Sequence, residues 1–445
     1  MHMNPLIPCR IRIGSKIDNT IWHLAWPMIL ANISVPLLGF VDTAVIGHLS
    51  DSHFLAGTAL ASLFLSVVFW LMGFLRMSTT GLVAKARGQN DRQRVMLHLW
   101  QALLLSGVLG ALILILQVPL FSLLTALSAD DLAMASTYEA AKSYFDVRVW
   151  VAPIALANMV LSGFLIGSGQ TRWVLRAVIT CNLVNLLLDL LFVPVLGMGV
   201  QGVALASIIA EVVQCTMIIW LIRPEIKAVT VKLRDVFSGW ATLLKMNGNL
   251  FIRSALLQLC LSFMTIYATQ FGSSAVALNA IIMQFFLFLS FALDGIAFAL
   301  ESLVGNTLGK QKARRLGMFI KRGVTIGGVF AVGYFLLYLL CSQWVVMLLT
   351  DIPELRTQMD PYYKWIYLLP LCSFLSFLLD GVFVGLGWDK AMCNSMAIAA
   401  GVFFLVISIS SALGNHGLWL GFCLFMLMRG LGQLMILYRQ RNQLL

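Results

Sequence analysis

Two carboxylates inside apolar sequence set the chemical question. Asp42 lies in the run WHLAWPMILANISVPLLGFVDTAVIG (Trp22 to Gly47), and Asp189 lies in CNLVNLLLDLLFVP, four residues after Asn185. An ionised carboxylate at the centre of a membrane helix costs roughly 2.5–3.5 kcal/mol on insertion scales, so one kept there needs a partner, a water-filled cavity or a proton. Asp42 is therefore a candidate for proton uptake, the alternative being a place near a helix end where it meets interfacial water. Asn185 and Asp189 share one helix face at their spacing. They can hydrogen-bond each other or hold a proton between them and a third group.

Three further acids could bind a cation. Asp294 and Glu301 are seven residues apart, nearly on one face of their helix, and Asp380 sits in a later apolar run. They either line a cleft and hold a cationic cargo or a coupling ion, or form structural pairs with Arg253, Arg429 or Arg76. Asp146 and Arg148, near a helix end, are expected to pair locally, and Glu211 has no evident partner in sequence. Pro27 and Pro36 interrupt the run that carries Asp42. Each removes a helix hydrogen bond and crowds the carbonyl four residues back, which predicts a first helix bent or bendable at two points. The alternative is a pair of static kinks that neighbouring helices compensate.

The elements that position these residues are membrane spans. Of 445 residues 60% are hydrophobic and 11% charged, with a mean hydropathy of +0.91. A soluble globular domain is excluded, since about 25% charged residues is usual there. Apolar runs fall near 22–47, 54–84, 97–126, 145–168, 173–195, 199–222, 240–270, 275–307, 323–349, 361–387, 390–412 and 416–438, which predicts an all-α polytopic membrane protein with twelve transmembrane helices. Lys and Arg gather in alternate connections, for example KARGQNDRQR (Lys85 to Arg94) and KQKARRLGMFIKR (Lys310 to Arg322), whereas SADDLAMASTYEAAK and TDIPELRTQMD are acidic. The positive-inside rule then places both termini in the cytoplasm and reads the net charge of +11 as a topology signal, with no nucleic-acid partner. The segment before Trp22 has no apolar core ahead of a cleavage site, so the first span is expected to direct insertion. The eight cysteines lie singly and read as small hydrophobes.

The sequence repeats itself. TTGLVAKARGQNDRQR (Thr79 to Arg94) lies over LESLVGNTLGKQKARR (Leu300 to Arg315), LSGFLIGSG (Leu161 to Gly169) over LDGVFVGLG (Leu379 to Gly387), and GVQGVALA (Gly199 to Ala206) over GNHGLWLG (Gly414 to Gly421). Two six-helix lobes follow, and because six is even both enter the membrane in one direction, giving a pseudo-two-fold along the membrane normal and a central cleft. The expected division is a cytoplasmic segment at 1–21, an N-lobe at 22–222, a cytoplasmic linker at 223–239, a C-lobe at 240–438 and a cytoplasmic tail at 439–445. No Walker loop, HExxH or nucleophile elbow is present, so no enzyme activity is expected.

The stretches YFDVRVWVAP…SGFLIGSGQTRW, NLLLDLLFVP and GMGVQGVALAS resemble the multidrug and toxic compound extrusion (MATE) transporters, and VDTAVIGHL, FALDGIAFALESLVGN and GNHGLWLGFCLFMLMRG resemble the branch of that family named for DNA-damage-inducible protein F. The likeness runs from Trp22 to about Arg439. It implies an antiporter of the bacterial inner membrane that exports cationic or amphipathic small-molecule drugs in exchange for protons, without a cofactor and as a monomer. Sodium is the alternative coupling ion, and a lipid-precursor flippase of the same superfamily is the alternative role. A flippase for an anionic headgroup calls for several Arg and Lys in the cleft, whereas the titratable spans carry more acids than bases. The resemblance also implies that Asp42, Asn185 and Asp189 form one N-lobe network. Its fourth member, a threonine in a GAAxAT pattern, is Ser207 in GVALAS here.

Overall fold

A computed structural model of the protein describes residues 16–47, 52–128 and 135–441; the side chains of residues 35, 37–47, 52 and 53 lie outside that description. Among the described residues there is no strand. The first half comprises α1 (Lys16–Gly47), α2 (Ser52–Leu71), α3 (Phe74–Gly88), α4 (Arg92–Ile115), α5 (Gln117–Leu127), α6 (Ala135–Arg148), α7 (Ala152–Gly167), α8 (Thr171–Phe192) and α9 (Gly199–Ala228). The second comprises α10 (Leu233–Val236), α11 (Trp240–Ala268), α12 (Ser273–Gly309), α13 (Ala313–Leu349), α14 (Pro353–Gln358), α15 (Tyr363–Leu386), α16 (Asp389–Ile409) and α17 (Asn415–Arg439).

Helices prevail because a bilayer core offers the backbone no water, so each span must satisfy its own N–H and C=O groups. Eleven helical stretches among the described residues are long and apolar enough to cross a membrane, with α2 joining α3 (Phe54–Gly88), α6 joining α7 (Ala135–Gly167) and α14 joining α15 (Pro353–Leu386). The 32-residue α1 stands where the first of the twelve expected spans falls. Pro27 and Pro36 both lie within this single uninterrupted helix. The apolar run expected at 97–126 divides at Leu116 into α4 and α5. Between α2 and α3 the ladder tightens at Met72 and Gly73, whose amides donate to Phe69 and Trp70.

The two halves repeat in three dimensions as they do in sequence. A Cβ on Gly167 would stand 2.6 Å from the Thr80 carbonyl oxygen, and one on its counterpart Gly385 would stand 2.8 Å from that of Glu301, the counterpart of Thr80. Asn90 and Gln311, also counterparts, carry φ of 58° and 54° in matching turns.

The lobes join at the end that carries the basic connections. There α3 packs on α12 and α15, and α1 packs on α12 and α13. A Cβ on Gly88 would lie 2.2 Å from the Asn306 carbonyl oxygen, and one on Gly309 would lie 2.1 Å from that of Lys85, so only glycine admits this approach. One continuous core runs from the first half through Leu300, Val304 and Leu379 of the second. The rest of the second half has a core of its own, built around Phe285, Phe403, Trp419 and Phe422.

Candidate functional site

Among the polar groupings inside the helical body, two hold the acids singled out in the sequence. The first is in the N-lobe, where α8 packs against α1 and α9. Asn185 and Asp189, 1% and 0% exposed, turn their shared face into that packing. Asn185 Nδ2 donates to Ser207 Oγ on α9 at 3.3 Å. One turn earlier, Asn182 Nδ2 donates to the carbonyl oxygen and to Oγ of Ser34 on α1, both at 3.1 Å. Asn182, Asn185 and Asp189 thus form a polar edge on α8 that binds its neighbours on both sides. Asn182 was readable three residues before Asn185, but nothing in sequence marked its partner on α1. Asp42 belongs to α1, and its side chain lies outside the described residues.

The N-lobe helix α1 is held to the C-lobe near its prolines. Asn32 Nδ2 donates to the Phe291 carbonyl oxygen at 3.2 Å. Asn32 is also the residue whose carbonyl Pro36 leaves without its helical donor. Closer to the basic end, the rings of Trp22 and Phe330 lie 5.2 Å apart.

The second grouping borders a cavity of about 290 Å³ between the lobes. Arg76, Arg253 and Arg429 face it together with Asp294, Glu301 and Asp380. Arg76, in the first turn of α3, spans the lobe boundary: Nη1 lies 3.0 Å from Glu301 Oε2, and Nη2 lies 3.4 Å from Oε1. Its guanidinium carbon also lies 3.9 Å from the centroid of the Phe298 ring. Asp380, on α15, accepts from Arg253 of α11 and Arg429 of α17 at one oxygen, and from Gln433 Nε2 at the other at 2.6 Å. With Asp380 6% and Arg429 1% exposed, this network ties three C-lobe helices where water cannot compete. Asp294 is half-buried and makes no hydrogen bond or ion pair with a described residue.

Counted over the cavity, three arginines meet three acids, which corrects the sequence-level impression of an excess of acid. The pairing consumes the arginines at Glu301 and Asp380 and leaves Asp294 as the open carboxylate of the lining. Elsewhere, Asp146 does pair locally, but with Lys142 at 2.8 Å and not with Arg148. Arg148 does not pair locally: it reaches Glu211 on α9, the acid without an evident partner in sequence. Asn158 Nδ2 donates to the Glu211 carbonyl oxygen at 2.9 Å, so α6, α7 and α9 meet at this point.

The arrangement sets carboxylates, amides and guanidinium groups inside an apolar helical body. DNA damage-inducible protein F of Escherichia coli (strain K12) is 37% identical over 418 residues, which cover 93% of this chain and 90% of that protein. Multidrug and toxin extrusion protein 1 of Oryctolagus cuniculus is 25% identical over 421 residues, 89% of this chain and 71% of that protein. A solved MOP superfamily transporter from Pyrococcus furiosus superposes with a TM-score of 0.84 at 20% identity, over 97% of each chain. The MatE family model matches residues 27–191 and again residues 250–409, once in each half. The chain is therefore a multi-pass membrane protein of the MatE family, whose members are transporters and not enzymes.

Proposed function

We propose that the protein is a secondary active antiporter that exports organic cations or amphipathic drugs in exchange for protons, across a bacterial inner membrane with both termini cytoplasmic. The observation that carries the proton-coupled reading is the hydrogen bond from Asn185 to Ser207, one helical turn from the fully buried Asp189, on a helix packed against the one that contains Asp42. The drug cargo is supported by relatives named for multidrug and toxin extrusion.

In this mechanism a proton from the far side neutralises Asp42. That removes its demand on Asn185 and its repulsion with Asp189, and frees α1 to change its bend at Pro27 or Pro36. The N-lobe cavity narrows and a bound cation leaves. The proton drives this only if the two shapes of α1 bind it with different affinity, since a ligand bound equally to both shifts nothing. Asp42, Asn185, Asp189 and Ser207 could also offer oxygens to sodium. A hard cation wants about six oxygen ligands in fixed geometry, whereas a proton needs one carboxylate.

The test is ethidium uptake into inverted vesicles, with pH and sodium gradients imposed separately. Uptake driven by the pH gradient alone is expected. Uptake driven only by sodium moves the coupling to that ion, and no uptake under either gradient overturns the exporter reading.

A further inference from the structure

The guanidinium of Arg76 rests in surroundings with the chemistry of an organic-cation site. Glu301 meets its two Nη atoms at 3.0 and 3.4 Å, and its Cζ stands over the Phe298 ring, 3.9 Å from the centroid. A carboxylate beside an aromatic face is what a delocalised or quaternary cation binds when water is excluded, and Glu301 is only 2% exposed. Along α12, Asp294, Phe298 and Glu301 follow at i, i+4 and i+7, so they share one face and form a ladder of acid, ring and acid. All three border the central cavity. Arg76 fills the Phe298 and Glu301 end of the ladder, and the Asp294 end is open.

Arg76 comes from the opposite lobe. It sits in the first turn of α3, three residues past Gly73, where the helical ladder is tightened. Any separation of α3 from α12 therefore withdraws the guanidinium and exposes the whole ladder. The cavity, about 290 Å³ with Arg76 in place, lies just below the usual range for small-ligand pockets and enlarges when the side chain leaves.

We propose that Arg76 is a tethered cation: while the lobes are joined, it occupies a site on α12, built from Asp294, Phe298 and Glu301, that takes a planar or quaternary organic cation when the lobes separate. This rests on the cation-export reading above. Cargo and Arg76 compete for one acid and one ring, so the rejoining of the lobes expels the cargo, and bound cargo favours separation by the same factor. Arg76 thereby sets how weakly the joined state holds its substrate.

The test uses the full-length protein in lipid nanodiscs, with ethidium and tetraphenylphosphonium as probes. Arg76→Gln is expected to bind ethidium about tenfold more tightly than the unaltered protein while its export falls, because release loses its competitor. In the Arg76→Gln background, Phe298→Leu and Glu301→Gln should each reverse the gain. Arg76→Lys keeps a charge but not a planar face, and should fall between the two. Binding by Arg76→Gln that is unchanged or weaker, in protein that keeps its thermal transition, overturns the proposal, as does Arg76→Lys affinity equal to that of the unaltered protein if Arg76→Gln does not fold. Ethidium uptake by unaltered vesicles separates the two readings: if it persists, only the tethered cation is lost, and if it is absent, the cation-export reading falls as well.

Discussion

Gly88 and Gly309 lie back to back across the lobe boundary, each α-carbon 2.9 Å from where a side chain on the other would begin. They are counterparts in the internal repeat, so the pseudo-two-fold axis passes between them and the molecule closes on its own symmetry axis. The contact is buried, close and made of backbone, which is how membrane helices without a hydrophobic drive between them hold together.

Gly88→Val should therefore hold the lobes apart at this end. Overpacking usually costs about 1–3 kcal/mol, and here the obstacle is a carbonyl oxygen that cannot swing aside. Spin labels on α4 and α13 near the basic connections should report a wider and more populated separation than in the unaltered protein, and export should fall. An unchanged distance distribution would show that the joined state does not depend on this contact.

Asp42→Asn should abolish ethidium uptake driven by a pH gradient while the protein still folds and inserts at normal levels. Asp189→Asn should do the same or leave a small residue of activity, since it removes the second carboxylate of the group. Full proton-driven uptake by Asp42→Asn would remove the α1 acid from the mechanism.

Asp380→Asn and Asp294→Asn should separate structure from function. The first leaves Arg253 and Arg429 buried without their shared acid, a change that typically costs about 3–5 kcal/mol, and should lower the melting temperature sharply. The second removes a carboxylate with no described partner, so the melting temperature should hold while ethidium affinity drops. Equal losses of stability would mean that Asp294 is structural.

Pro27→Ala restores a donor toward the His23 carbonyl and stiffens α1; proline in a helix interior disfavours the helix by about 3 kcal/mol relative to alanine. Proton-driven export is expected to fall while ethidium binding is kept. Structures determined at low and high pH provide the second check. Identical α1 shapes at both, with undiminished export by the variant, would remove the bending step.

Alkaline phosphatase fused after Lys85 or Lys310 should be inactive, and fused after Asp351 active, because the basic connections are assigned to the cytoplasm. Activity after Lys310 would invert the orientation.

The class of molecule was legible in the chain because hydropathy is a local property: repeated apolar runs of span length, with basic and acidic connections alternating between them, mark membrane helices that pair their own backbone. The repeat was legible too, since Gly88 and Gly309, or Gly167 and Gly385, are fixed by close contacts that recur in each half. The i, i+4 spacing also put Asn185 and Asp189 on one face without further information. What sequence could not supply was the partner of each charge. Asp380 had three candidate arginines and takes two, Glu301 takes the third from the other lobe, and Arg148 passes over its own helix to reach Glu211. Those choices depend on how each helix is rotated and where it crosses its neighbours, and packing between segments hundreds of residues apart sets both. Spacing along one helix determined which side chains stand together; only the tertiary structure decided which charges meet across helices, that the lobes close at the basic end, and that a guanidinium from one lobe lies on the ring and acid of the other.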